Sequence, residues 1–145
     1  AKSALQLFDL IHSVDSLRLA RELSKRSTQL NTDRDILLQV NVSGEESKHG
    51  AETGEAIELV KEVSTLPRLR IKGLMAIPPF SPDPEASRTY FRRLREMSRR
   101  VGDLGLKGVS MQELSMGMSG DYEVAIEEGA TMVRVGTAIF GPRDY

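Results

Sequence analysis

Cysteine is absent from the 145 residues, which excludes disulfides, thiolate nucleophiles and zinc–thiolate sites. Histidine is scarce: His12 and His49 are too little for a His-based metal site. A surplus of either charge is missing as well. Lys and Arg total 20 and Asp and Glu 21, a formal net charge of −1. The excess of phosphate-neutralising cations that marks a nucleic-acid binder is therefore not there. No apolar run approaches the length of a membrane span, and no signal peptide is visible. No Ser-His-Asp set, no GxGxxG and no Walker loop occurs. What remains is the composition of a soluble, cytoplasmic globular protein, read as a single domain over residues 1–145. Neither nucleic-acid nor membrane partners are expected.

What is present alternates between two hydrophobic periods. Phe8 to Ser13 is a short apolar run. Ser13 or Asp15 then caps a helix to about Leu30, with Leu17, Leu19, Ala20 and Leu23 on its buried face. Ile36 to Val42 is rich in β-formers and ends at Ser43-Gly44. The polar loop beyond carries Glu45, Glu46 and Lys48, read as solvated. A helix from about Gly54 to Leu66 follows, with Ala56, Leu59, Val60 and Val63 on one face and Pro67 as its stop. Ile71 to Ile77 is a third strand. Pro78, Pro79 and Pro82 enforce a loop, and Asp83 with Pro84 opens a helix to about Val101. Its core stripe is Tyr90, Leu94, Met97 and Val101, while Arg92, Arg93, Arg95, Arg99 and Arg100 read as a solvated outer face. Glu113 to Met118 is a fourth strand. Ser119-Gly120-Asp121 caps a short helix through Glu128, with Glu127 and Glu128 exposed and Gly129 as its left-handed stop. Thr131 to Phe140 is a fifth strand. Strict β-α alternation means parallel strands with helical crossovers. Both an open doubly wound sheet and a contiguous piece of a (β/α)8 barrel fit, and a closed barrel needs about 250 residues.

In such folds ligands sit where strands end and helices begin. Ser115-Met-Gly-Met-Ser-Gly-Asp121 runs from a strand straight into a helix start. Its small residues expose consecutive N–H groups, and Gly136-Thr137 adds a second small segment with a hydroxyl. Together they suit a phosphate monoester. Either segment alone also reads as a tight turn with a helix cap. Arg134 stands in an otherwise apolar strand, and a guanidinium there needs a partner. That partner is a carboxylate of the protein or a ligand held beside the phosphate. His12 reads as a hydrogen-bonded packing residue, and Met75, Met116 and Met118 as core or pocket wall. Asn41 either caps its loop or faces a ligand.

These segments also carry a resemblance. Leu10-Ile-His-Ser-Val-Asp-Ser16, Leu38-Gln-Val-Asn-Val-Ser-Gly-Glu-Glu-Ser-Lys48, Ile71-Lys-Gly-Leu-Met-Ala-Ile-Pro78 and Tyr90-Phe91 with Arg93-Leu94 take part. So do Leu114-Ser-Met-Gly-Met-Ser-Gly-Asp121 and Arg134-Val-Gly-Thr-Ala-Ile-Phe-Gly141. Across the whole chain they resemble the YggS/PROSC family of pyridoxal-phosphate homeostasis proteins. The resemblance implies an α/β fold of (β/α)8 TIM-barrel type, like the N-terminal domain of alanine racemase. It implies pyridoxal 5′-phosphate (PLP) as ligand, and a cofactor carrier rather than an enzyme with turnover. Ser119, with Ser115, Gly117 and Met118 of its loop, and Gly136-Thr137 would hold the phosphate. Arg134 would face the pyridine nitrogen.

The family's Schiff-base lysine lies in a Val-Ser-Lys-type motif that this sequence does not contain. Lys2, Lys25, Lys48, Lys61, Lys72 and Lys107 match no Schiff-base position, and Lys72, read at a strand start, is expected at the far end of the barrel from the cradle. The expectation is therefore the C-terminal portion of such a barrel, about five strands, binding PLP non-covalently at best. Its two open sheet edges predict a companion N-terminal fragment or self-association. Two rivals stand beside this. One is a phosphosugar- or FMN-binding α/β enzyme, in which Arg134 pairs with a protein carboxylate. The other is a ligand-free scaffold that self-associates.

Overall fold

Runs of Val, Ile and Leu form the strands and amphipathic stripes form the helices, in strict succession along the chain. The structure, a computed structural model, describes residues 2–43 and 51–143. Glu45, Glu46 and Lys48 of the polar loop lie outside the described residues. The strands are β1 (Leu10–Val14), β2 (Arg34–Asn41), β3 (Ala51–Glu52), β4 (Leu69–Met75), β5 (Val109–Met118) and β6 (Met132–Arg134). The helices are α1 (Lys2–Leu7), α2 (Leu17–Gln29), α3 (Thr53–Ser64), α4 (Arg88–Asp103), α5 (Tyr122–Glu127) and α6 (Thr137–Phe140).

The strands pair in the order β1-β2-β4-β5-β6, all parallel, with the short β3 added to β2. Each long strand thus lies beside its neighbour in sequence, and the order never reverses. A doubly wound sheet needs a reversal at its switch point; a β/α barrel does not. The described strands therefore form a half-barrel of TIM-barrel type.

Alternation along the strands sorts their side chains between two faces. Ile36, Leu38 and Val40 of β2, Leu74 of β4, and Leu114 and Met116 of β5 point to the helices and are buried there. Ala20 and Leu23 of α2, Ala56, Val60 and Val63 of α3, and Leu94, Met97 and Val101 of α4 meet them. These are the stripes that the helical spacing predicts. In α4 the deepest position belongs to Phe91, fully buried, rather than to Tyr90. Both precede Leu94 by one helical turn, so spacing alone does not choose between them. Tyr90 instead lies under the Arg93 guanidinium, 5.6 Å from the ring centroid.

Several boundaries differ from expectation. The cap of α2 is Ser16, whose hydroxyl accepts from the Leu19 N–H at 3.3 Å, not Ser13 or Asp15. Asp83 does accept from the Glu85 N–H at 3.0 Å, but a 3₁₀ turn (Pro84–Ser87) comes before α4. The fifth long strand stops at Arg134, and residues 137–140 coil into α6. Gly136 ends the β-branched run there, and the N–H groups of Ile139 and Phe140 both return to its carbonyl. Lys72 lies in the middle of β4 rather than at a strand start.

Of the arginines read as a solvated face, Arg92, Arg93, Arg99 and Arg100 are exposed and Arg95 is half-buried. Arg88, Arg92 and Arg95 are spaced by four and three, so they share one stripe. All three converge on the carboxylate of Glu128 at 2.9, 3.1 and 3.0 Å. Glu128 is 4% exposed, against its expected exposure. Hydrogen bonding from Arg88 and the charges of Arg92 and Arg95 hold its carboxyl below the usual range. The cluster fastens α5 to α4, and so fixes the turn in front of α5.

Candidate functional site

Parallel pairing brings the C-terminal ends of all five long strands to one rim. The face away from the helices is the concave one. Leu37, Gln39 and Asn41 alternate onto it from β2, Met75 from β4 and Ser115 from β5, and all five are buried.

At its centre three residues distant in sequence meet. The Arg134 guanidinium donates from Nη1 to Ser115 Oγ at 2.6 Å and from Nη2 to the Ala76 carbonyl at 3.0 Å. Ser115 Oγ lies 3.0 Å from His12 Nδ1. Arginine has only donors, so the Ser115 hydroxyl accepts from Arg134; among the described residues the one acceptor in reach of its own proton is His12 Nδ1. His12 thus carries its proton on Nε2. Burial, then the charge of Arg134, holds the His12 pKa below its ordinary 6.5, with Glu113 opposing. His12 is therefore neutral near pH 7. Its strand is separated from β5 by β2 and β4. In a flat sheet those strands would stand about 14 Å apart. Contact between two short side chains therefore requires the curvature of a barrel.

Arg134 is half-buried, and among the described residues it makes no ion pair. Its partners are a hydroxyl and a carbonyl, both neutral. Burial pushes its pKa down and the charge of Asp121 pushes it up, and an arginine keeps its proton under such conditions. The carboxylate pairing expected of the FMN or phosphosugar alternative is not found among the described residues.

Beside this group lies the turn from β5 into α5. Gly117 sits at φ +97°, and a Cβ there would come within 2.5 Å of Ala125 Cβ and 3.1 Å of Tyr122 Cα. Only glycine lets the strand pass beneath α5. Asp121 stands at the N-cap of α5 and its carbonyl accepts the Ala125 N–H at 3.0 Å, while its side chain fixes the turn: Oδ1 accepts the Met118 N–H at 2.8 Å and Oδ2 the Ser87 hydroxyl at 2.7 Å. Ser119 Oγ accepts two backbone N–H groups, from Gly136 at 3.1 Å and Ala138 at 3.2 Å. Those amides converge on one oxygen. In the register of the sheet Met118 is paired with Arg134, one residue from Ser119.

The residues expected to form the site thus divide. Ser119 and Gly136 are joined directly, and Thr137 begins the adjoining helical turn rather than continuing a strand. Met118 is 45% exposed at the rim. Ser115 is fully buried and serves Arg134 rather than the loop. Gly117 is buried beneath α5. Of the other methionines, Met116 is core and Met75 belongs to the concave face. Two members were not expected: His12 as a partner of Ser115, 103 residues away, and the Ala76 carbonyl. Asn41, buried, accepts from the Ser43 N–H and hydroxyl at 3.1 and 2.7 Å, so it closes its own loop.

Known proteins give this architecture a context. The profile of the family described as alanine racemase, N-terminal domain, matches residues 1–144. A pyridoxal phosphate homeostasis protein of Aquifex aeolicus is 48% identical over 136 residues, covering 94% of this chain and 59% of its own length. One from Escherichia coli K12 is 44% identical over 138 residues, covering 95% and 58%. The solved structure of PipY from Synechococcus elongatus with PLP bound superposes with a TM-score of 0.86 at 33% identity, covering 97% of this chain and 64% of that one. The chain thus spans less than two thirds of the length of these relatives.

Proposed function

The chain belongs to the alanine racemase N-terminal domain family, and from that premise we propose that its concave rim binds PLP as a cytoplasmic part of cofactor homeostasis. The observation that carries this reading is Arg134, a half-buried guanidinium whose hydrogen-bond partners among the described residues are both neutral. A buried charge calls for an anion or a strong acceptor, and two of the five N–H donors of arginine are already spent on Ser115 and Ala76. The others remain for an acceptor on the concave side. The homologues named for pyridoxal phosphate homeostasis and the PLP-bound PipY supply the identity of that acceptor.

The residues present fit the group. The Gly136 and Ala138 amides meet at a point now taken by Ser119 Oγ. Rotation of the Ser119 side chain opens that point to a phosphate oxygen, with the hydroxyl as a further donor. Arg134 serves the ring nitrogen. Since a guanidinium does not give up its proton, the ring nitrogen stays unprotonated, and the ring is left a weaker electron sink. When bound, the cofactor brings an aldehyde able to condense with amines. Holding it with a weakened ring suits storage and delivery rather than turnover.

Titration of the chain with PLP, followed by difference absorbance, is expected to saturate, and FMN should not compete. Borohydride treatment followed by intact mass should give no stoichiometric adduct at a single lysine. Equal binding of FMN would overturn the ligand, and a single-site adduct the non-covalent mode.

The same reading extends to the sheet edges. Among the described residues β1 pairs with β2 alone and β6 with β5 alone, so each offers a free row of backbone donors and acceptors. They are read as surfaces for a companion segment or a second copy of the chain. Light scattering during size exclusion should give a mass above 16.1 kDa; a well-folded monomer would contradict it.

A further inference from the structure

We infer that His12 is a positioning residue for Arg134, acting through the Ser115 hydroxyl, and that it makes the engagement of a ligand by Arg134 depend on pH. This rests on the reading of Arg134 as a ligand-binding group.

Arg134 Nη1 donates to Ser115 Oγ at 2.6 Å, and a guanidinium accepts nothing. Among the described residues the one acceptor within reach of the buried serine proton is His12 Nδ1, at 3.0 Å, so the bond runs from Ser115 to His12. Ser115 is fully buried, so bulk water does not replace either partner. The orientation of the hydroxyl, and with it the lone pair that holds the guanidinium, is set by a neutral imidazole. A protonated imidazole has no acceptor. It would present an N–H to the oxygen that already receives one from Arg134, leave the buried serine proton with no acceptor among the described residues, and place a second positive charge against the guanidinium. The two cations then repel across one oxygen, and the hold on Arg134 weakens. The fastening of Nη2 to the Ala76 carbonyl is the only other hold on Arg134 among the described residues, and a single bond leaves the plane of the guanidinium free to swing.

The charges that act on His12 are Arg134 from β6 and Glu113 from β5. The first opposes protonation and the second favours it, while burial opposes it. The sign is therefore fixed: ligand binding is full at neutral pH and falls as the solution is acidified through a value below 6.5.

Three forms of the chain test this, each titrated with PLP from about pH 8 to about pH 5. His12→Asn keeps an acceptor near the Nδ1 position and does not titrate. His12→Ala removes the acceptor. Titration of the ligand itself is common to all three and cancels in ratios. Relative to His12→Asn, wild-type affinity is expected to fall by about tenfold across the range, the loss of one charge-assisted hydrogen bond. His12→Ala should be weak throughout. A second readout needs no ligand. Nitrogen NMR of the free chain should show His12 as the pure Nε2–H tautomer, changing to a mixture in Ser115→Ala. Parallel pH profiles for wild type and His12→Asn, or a mixed tautomer in the wild type, overturn the inference while leaving PLP binding intact. A pure tautomer with no PLP binding in any form overturns the ligand reading and leaves the link from His12 to Arg134 standing.

Discussion

Arg134→Ala should weaken PLP binding by about 2–3 kcal/mol, roughly 30- to 160-fold in Kd, the scale of a charge-assisted hydrogen bond lost from a partly desolvated site. The same substitution should leave stability within about 1 kcal/mol of wild type, because two opposed effects nearly cancel. The Ala76 carbonyl loses its donor, and the Ser115 hydroxyl keeps only His12. Against that, a guanidinium is no longer held half out of water with neutral partners. A large loss of affinity without loss of stability is the signature of a residue kept for a ligand. Equilibrium titration and urea unfolding on the same sample separate the two quantities. If Arg134→Ala alters stability while PLP affinity is unchanged, or no PLP binds at all, the ligand-free scaffold becomes the better account. Arg134→Lys should restore little. An ammonium on a flexible stem cannot serve Ser115, Ala76 and a ligand in one plane, as the fork of the guanidinium does.

Much of this arrangement is legible in the sequence because its signals are local. The helical stripes of α2 and α3, the positions Leu94, Met97 and Val101 of α4, the Asp83 cap and the stop at Gly129 each depend on residues within one or two turns, and the structure bears them out. Even the proposed phosphate cradle is local in this sense: the Ser119 and Gly136 segments both carry small residues in a strand-to-helix position. What the sequence hides is contact across the curve of the sheet. His12 and Ser115 are separated by two intervening strands, and nothing in either neighbourhood announces the other. A histidine in a short apolar run is more often a packing residue, and only the closeness imposed by curvature makes it a partner for Arg134. Glu128 is hidden for a related reason. A glutamate at a helix end reads as solvated until Arg88, Arg92 and Arg95, on another helix, are seen to close over it. The end of the last strand is hidden because Val133, Val135, Ile139 and Phe140 suit a strand by composition. The run is cut instead by Gly136, whose carbonyl starts a helical turn.

Gly73→Ala is expected to be among the most damaging single substitutions available. The residue is buried in β4, where the register with β5 shifts between Ile71 and Gly73, and it is paired with Glu113. A Cβ built there would overlap the Glu113 carbonyl oxygen. That atom is backbone in a strand held on both sides, so it cannot turn aside as a flexible side chain would. Relief requires β4 and β5 to part. The cost should be about 3 kcal/mol or more, a fall in Tm of about 10 °C. Gly54→Ala is the matching control. It lies in α3 with nothing within 4 Å of the added carbon, so the smaller freedom of the unfolded chain should make that variant more stable by about 0.5 kcal/mol. The two substitutions add the same methyl group, and their opposite signs isolate the close approach as the cause. The damage from Gly73→Ala should also reach the site. β4 leads into Ala76 and β5 carries Ser115, the Ala76 N–H donates to the Ser115 carbonyl at 3.1 Å, and both residues hold Arg134. Under conditions where the variant remains folded, its PLP affinity should therefore fall as well. A Gly73→Ala protein that melts with the wild type and binds PLP as tightly would mean that the β4–β5 spacing tolerates a side chain, and that the site does not depend on it.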